Sequence, residues 1–163
     1  MEYNQYTLRN GLRIIHQPSQ SKVAYCGFAI NVGTRDELSH EHGMAHFVEH
    51  MVFKGTKSRS AWNILNGMEL VGGDLNAYTN KEETVVYSAF LVEHFNRAVS
   101  LLGDIVFHST FPENEILKEA EVVIDEIRSY EDNPSELIFD DFEDLVFRGH
   151  PLGHNILGTP ELL

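Results

Sequence analysis

The segment His46-Phe47-Val48-Glu49-His50 brings together residue types that can do metal chemistry. On a helix, positions four apart lie on one face with neighbouring side chains, so His46 and His50 can aim two imidazoles at one point. Zn²⁺ accepts nitrogen ligands in that arrangement. Glu49 follows His46 by three residues and flanks the same face. A carboxylate there can take a proton from a water molecule whose pKa a metal has lowered. The chemistry implied is metal-assisted hydrolysis with Glu49 as general base and water, not a side chain, as nucleophile. The helix is otherwise apolar, carrying Gly43, Ala45, Phe47, Met51 and Phe53, so ionisable groups buried on it need partners.

A catalytic zinc needs a third protein ligand, and the acidic C-terminal quarter offers candidates. Glu119 and Glu126 lie seven apart, two turns along one helical face, with Val122 and Val123 between them. An apolar stripe holding two carboxylates is costly to bury unless a cation compensates them. Periodicity does not choose between the two. Glu113, Glu115 and Glu121 fall off the stripe and are expected to be solvated. Cys26 lies within an apolar strand pattern and reads as a structural thiol, not a nucleophile.

The elements needed to position these groups follow from the pattern. Tyr6–Arg9 and Leu12–His16 flank Asn10-Gly11, which predicts a hairpin with a type I′ turn. Val23–Val32 reads as a strand buried on both faces. His42–Lys54 reads as a helix closed by Gly55, and Ser60–Val71 as a second helix ending at Gly72-Gly73. Leu75–Thr79 and Thr84–Leu91 form another hairpin. Helices follow over Val92–His108, Glu113–Tyr130 and Ser135–Arg148, the last two separated by Asn133-Pro134. The fold class expected is α+β, a largely antiparallel sheet with helices packed on it.

The 163 residues include 25 acidic and 12 basic side chains, nine histidines and one cysteine, for a formal charge of −13. Thirteen acidic and two basic residues fall between Phe111 and Leu145. Such acidity excludes a nucleic-acid partner, because phosphate binding is dominated by basic patches. One cysteine makes no internal disulfide. No apolar run approaches the roughly 20 residues of a membrane span. Met1-Glu2-Tyr3-Asn4-Gln5 has neither a basic nor an apolar leader region, so a cytoplasmic location is expected.

Gly43-Met44-Ala45-His46-Phe47-Val48-Glu49-His50-Met51-Val52-Phe53-Lys54-Gly55-Thr56 closely resembles the active-site helix of the inverzincin peptidases, the family of pitrilysin, insulin-degrading enzyme and mitochondrial processing peptidase. Gly72-Gly73-Asp74-Leu75-Asn76-Ala77-Tyr78-Thr79 resembles the family's substrate-binding edge strand. His150-Pro151-Leu152-Gly153-His154-Asn155-Ile156-Leu157-Gly158 resembles its H-P-L-G-x-x-I-L-G loop, with His154 where the family usually has Arg. The resemblance implies a zinc endopeptidase acting on peptides or unfolded polypeptides. Its metal ligands would be His46, His50 and Glu126, its general base Glu49, and Glu119 would orient a ligating histidine. Asn76, Ala77 and Thr79 match the strand that pairs with extended substrate, a mode that reads main chain more than side chains.

Members of that family are considerably longer, and a second homologous domain or subunit closes the cleft. Residues 1–163 are therefore expected to be an N-terminal catalytic domain, truncated, with little activity alone. Two rival readings stand beside the enzyme. One is a non-catalytic, peptidase-like subunit serving assembly or peptide binding; such subunits typically lose H-x-x-E-H, which is intact here. The other is a structural metal module, whose site would be closed by four protein ligands.

Overall fold

The computed structural model describes residues 3–163. The elements run β1 (Asn4–Thr7), β2 (Arg13–His16), β3 (Val23–Ile30), α1 (Met44–Met51), α2 (Ala61–Glu69), β4 (Asp74–Thr79), β5 (Thr84–Leu91), α3 (Phe95–His108), α4 (Glu113–Glu131) and α5 (Pro134–Val146). β1 and β2 pair as an antiparallel hairpin, and β3, β5 and β4 form an antiparallel sheet in that spatial order. The architecture is α+β, as the pattern predicts. Among the described residues, no helix is long and apolar enough to cross a membrane.

Two clusters of buried side chains position the site. In the first, Val86 and Phe90 of the central strand β5 meet Ile64 and Met68 of α2 and Leu101, Leu102 and Ile105 of α3. In the second, Phe47 and Met51 of α1 meet Val123 and Ile127 of α4. Burying side chains of this size contributes about 1.5–3 kcal/mol each. The second cluster therefore fixes the histidine helix against the acidic helix. Val123 is fully buried while Val122 is about half exposed, so the inward stripe of α4 is Glu119, Val123 and Ile127, with Glu126 at its rim.

Local chemistry departs from expectation at three places. The Asn10-Gly11 turn is not type I′: Leu8 N–H donates to the Leu12 carbonyl at 2.8 Å and Gly11 N–H to the Leu8 carbonyl at 3.0 Å. Gly11 has φ 91°, whereas Phe111 is the sole non-glycine with positive φ among the described residues, so Asn10 keeps an ordinary conformation. This is a three-residue loop with one left-handed glycine. β3 is not buried on both faces either. It is an edge strand whose residues alternate between exposed and half-buried, because helices cover one face only. Finally, α1 starts two residues late and ends at Met51, and Gly55 pairs with Ser60 in an isolated bridge instead of capping the helix.

The remaining boundaries obey standard capping physics. Ser60 Oγ accepts the Asn63 N–H at the start of α2, and Gly72, at φ 71°, ends its C-terminal turn. Pro134 sits in the first turn of α5, where its missing N–H costs nothing.

Candidate metal centre and active site

His46 and His50 lie one turn apart on α1, their ring centroids 4.6 Å apart. Their Nε2 atoms approach to 3.2 Å. Glu126 reaches in from α4, with Oε1 3.8 Å from His46 Nε2 and Oε2 3.5 Å from His50 Nε2. One ligand atom from each of the three residues falls within 4.8 Å of the others. A tetrahedral ion bound at about 2.1 Å holds its donors roughly 3.4 Å apart. The spacings of 3.2, 3.5 and 3.8 Å therefore fit a zinc ion with two imidazoles and one carboxylate. Among the described residues no fourth side chain joins this group, which suits a site with an open position.

Glu119 occupies the opposite side of His50. Its Oε1 lies 2.9 Å from His50 Nδ1, and its Oε2 lies 2.5 Å from Lys54 Nζ. Burial opposes ionisation of Glu119, but hydrogen bonds from Lys54 and His50 and their charges prevail and hold its pKa below the usual value. An ionised carboxylate only accepts, so His50 carries its proton on Nδ1 and presents the Nε2 lone pair to the centre. His46 is held neutral: burial first, then the nearby His50, push its pKa down to about 4. Nδ1 of His46 is buried with no hydrogen-bond partner among the described residues.

Glu49 is half-buried and borders an apolar cleft lined by Ile30, Val52, Val86 and Phe107. Its carboxylate engages no hydrogen bond or ion pair among the described residues, leaving its lone pairs available to a water molecule.

Asn76, Ala77 and Thr79 lie on β4, which pairs with β5 on one side and forms the edge of the sheet on the other. Ala77 N–H donates to Asn76 Oδ1 at 2.9 Å, as an amide turned toward an unpaired edge does. β4 also packs against α1, so the free edge and the histidine pair share one neighbourhood.

Other singled-out residues lie outside this donor group. His42 stacks on His154 at 4.0 Å with nearly parallel rings and stays outside the donor group. Cys26 is a free, partly buried thiol whose pKa burial raises, against a smaller lowering by the Gly27 backbone. Sequence reasoning missed Lys54 and Glu37. Lys54 stands four residues after His50, and that helical spacing was a usable signal. Glu37 lies in an irregular loop, where no periodicity could mark it.

Two histidines and a glutamate whose donor atoms could hold a metal ion, with Glu49 on the same helix, are thus what this fold brings together. The model of the insulinase family, peptidase family M16, matches residues 13–160, and the chain belongs to that family. A zinc protease of Bacillus subtilis, described as uncharacterized, is 44% identical over 160 residues, which are 97% of this chain and 39% of the relative. The mitochondrial-processing peptidase subunit beta of Rattus norvegicus is 40% identical over 154 residues, covering 94% of this chain and 32% of that one. A protease from Helicobacter pylori superposes with a TM-score of 0.93 at 25% identity, over 99% of this chain and 39% of the other. An inactive M16 domain from Pseudomonas fluorescens shares the fold, with a TM-score of 0.87 at 17% identity. The chain spans about 39% of the length of the first of these relatives.

Proposed function

We propose that this chain supplies the zinc ligands and the general base of a metalloendopeptidase. The observation that carries the reading is the convergence of His46 Nε2, His50 Nε2 and the Glu126 carboxylate to within 4.8 Å, with Glu49, which has no partner among the described residues, on the same helix as the histidines. His46, His50 and Glu126 hold the metal, and Glu119 orients His50 through Nδ1. Zinc, when bound, supplies a Lewis acid that polarises a scissile carbonyl and lowers the pKa of water. Glu49 accepts a proton from the attacking water and returns it to the amine that leaves as the C–N bond breaks. No acyl-enzyme forms.

Peptides or unfolded polypeptides suit the free edge of β4, where Asn76, Ala77 and Thr79 present backbone groups for strand pairing. Residues 1–163 act as an N-terminal catalytic domain whose cleft a second homologous domain or subunit completes. The coverage of 39% of the Bacillus relative supports that reading. Assembly or peptide binding without catalysis is disfavoured because H-x-x-E-H is intact and its donors converge. Zinc titration of the purified chain against a chromogenic chelator tests the proposal. One equivalent bound, and lost in His46→Ala and Glu126→Ala, is expected; no binding by the unaltered chain overturns it.

A further inference from the structure

The N-terminus of α1 has no side-chain cap of its own: Gly43 occupies the cap position with φ 97°. The first amides of a helix need acceptors, and those of α1 find theirs elsewhere. Glu37, whose side chain is 5% exposed, accepts Gly43 N–H on Oε2 at 3.1 Å and Ala45 N–H on Oε1 at 2.7 Å. Ala45 immediately precedes His46. The same Oε2 lies 3.2 Å from Nε2 of His154, which belongs to the His150–Gly158 loop. His154 in turn stacks on His42, and its carbonyl accepts Lys81 Nζ at 2.5 Å from the turn between β4 and β5. The loop also presses on the helix start directly. A Cβ on Gly43 would meet the Leu157 carbonyl oxygen at 2.7 Å, and one on Gly158 would clash with the His42 carbonyl oxygen.

We propose that Glu37 is a positioning residue for the metal centre, and that His154 and its loop form a clamp holding Glu37 against the first turn of α1. The nearly buried carboxylate fixes the axial position and rotation of a helix only eight residues long. Packing against α4 fixes one side of that helix, and Glu37 fixes its end. The rotation decides whether both Nε2 atoms meet Glu126. The His150–Gly158 motif, which contributes no metal ligand, thereby gains a role. Through Lys81 the clamp also joins the turn of the β4 edge to the helix that carries the histidines. The inference rests on the metal-centre reading for its effect on zinc, but not for the clamp itself.

Two measurements on the full chain keep those parts distinct. In the metal-free protein, hydrogen exchange at the Ala45 amide should quicken about tenfold or more in Glu37→Ala, with exchange across β5 unchanged. Competition titration with zinc alone should show affinity falling by about tenfold or more in the same variant. His154→Ala should move both readouts in the same direction by less. His154→Arg should restore them, because a guanidinium fork matches the Glu37 carboxylate. If Glu37→Ala does not fold, the pair His154→Ala and His154→Arg carries the test. Unchanged Ala45 protection in Glu37→Ala, or in His154→Ala where that pair stands alone, would overturn the clamp. Altered protection with unchanged zinc affinity would overturn the positioning role. Failure of the unaltered chain to bind zinc would count against the metal-centre reading and leave the exchange result to decide the clamp.

Discussion

Nδ1 of His50 and Oε1 of Glu119 stand 2.9 Å apart, and this contact decides which nitrogen of His50 is free for a metal. Lys54 holds the other oxygen of Glu119, so the carboxylate is kept ionised in a nearly buried place. Removing it would let His50 change tautomer and rotate. Glu119→Gln is expected to weaken zinc binding by about 10- to 100-fold while leaving one equivalent bound at saturation. Lys54→Met should act in the same direction, and less strongly. Chelator competition on the two variants checks this, and wild-type affinity in Glu119→Gln would refute it.

Glu49 differs from the other acids of the site in having no partner among the described residues. In the proposed role Glu49 moves protons and holds no metal, so changing it should leave the metal bound. Glu49→Gln should retain stoichiometric zinc, with kcat for peptide cleavage in the complete peptidase falling about 10²- to 10⁴-fold. Elemental analysis alongside steady-state kinetics separates this from a ligand defect. A variant that cleaves normally would remove Glu49 from the mechanism.

The edge of β4 makes its own prediction. Proline at an edge strand removes one donor with limited cost to the fold. Ala77→Pro takes away the amide that now rests on Asn76 Oδ1. With a hydrogen bond to substrate worth about 1 kcal/mol net, kcat/KM should fall several-fold to tenfold, with zinc affinity unchanged. A change in zinc binding instead would show that the substitution acts on α1.

The histidine pair, Glu49 and the acidic helix were legible because helical spacing is a strong geometric constraint and they all sit on helices. The choice between Glu119 and Glu126 was not legible from spacing, since two turns separate them on one face. Tertiary geometry separates them: Glu126 reaches the Nε2 atoms while Glu119 meets Nδ1. Glu37 and His154 were invisible as a pair, because a contact across 117 positions between two loops leaves no periodic trace. The exposure of β3 was misread for a related reason. An apolar run is the same in a central strand and in an edge strand, and only the strand order β3-β5-β4 distinguishes them.

Acid should destabilise the metal-free chain in two separate windows. His46 has a folded pKa of about 4 against 6.5 for the free side chain, because burial and then His50 disfavour its charge. Between those values the unfolded chain binds more protons than the folded one. The stability that neutral His46 allows is thus complete above pH 6.5 and declines as pH falls toward 4, by up to about 3 kcal/mol. Asp104 behaves as a depressed carboxylate. Burial raises its pKa, but hydrogen bonds from Thr56, Ser58 and Arg59 and the Arg59 charge outweigh this and bring it to about 2, against 3.8 unperturbed. Its contribution is present above pH 3.8 and disappears only as pH approaches 2, so it cannot account for any loss at pH 5. Urea unfolding of the metal-free chain across pH 7 to 4 should therefore show a falling midpoint that His46→Gln flattens and Asp104→Asn leaves in slope. A midpoint independent of pH from 7 to 4 in the unaltered chain would mean that His46 is not held neutral by its burial.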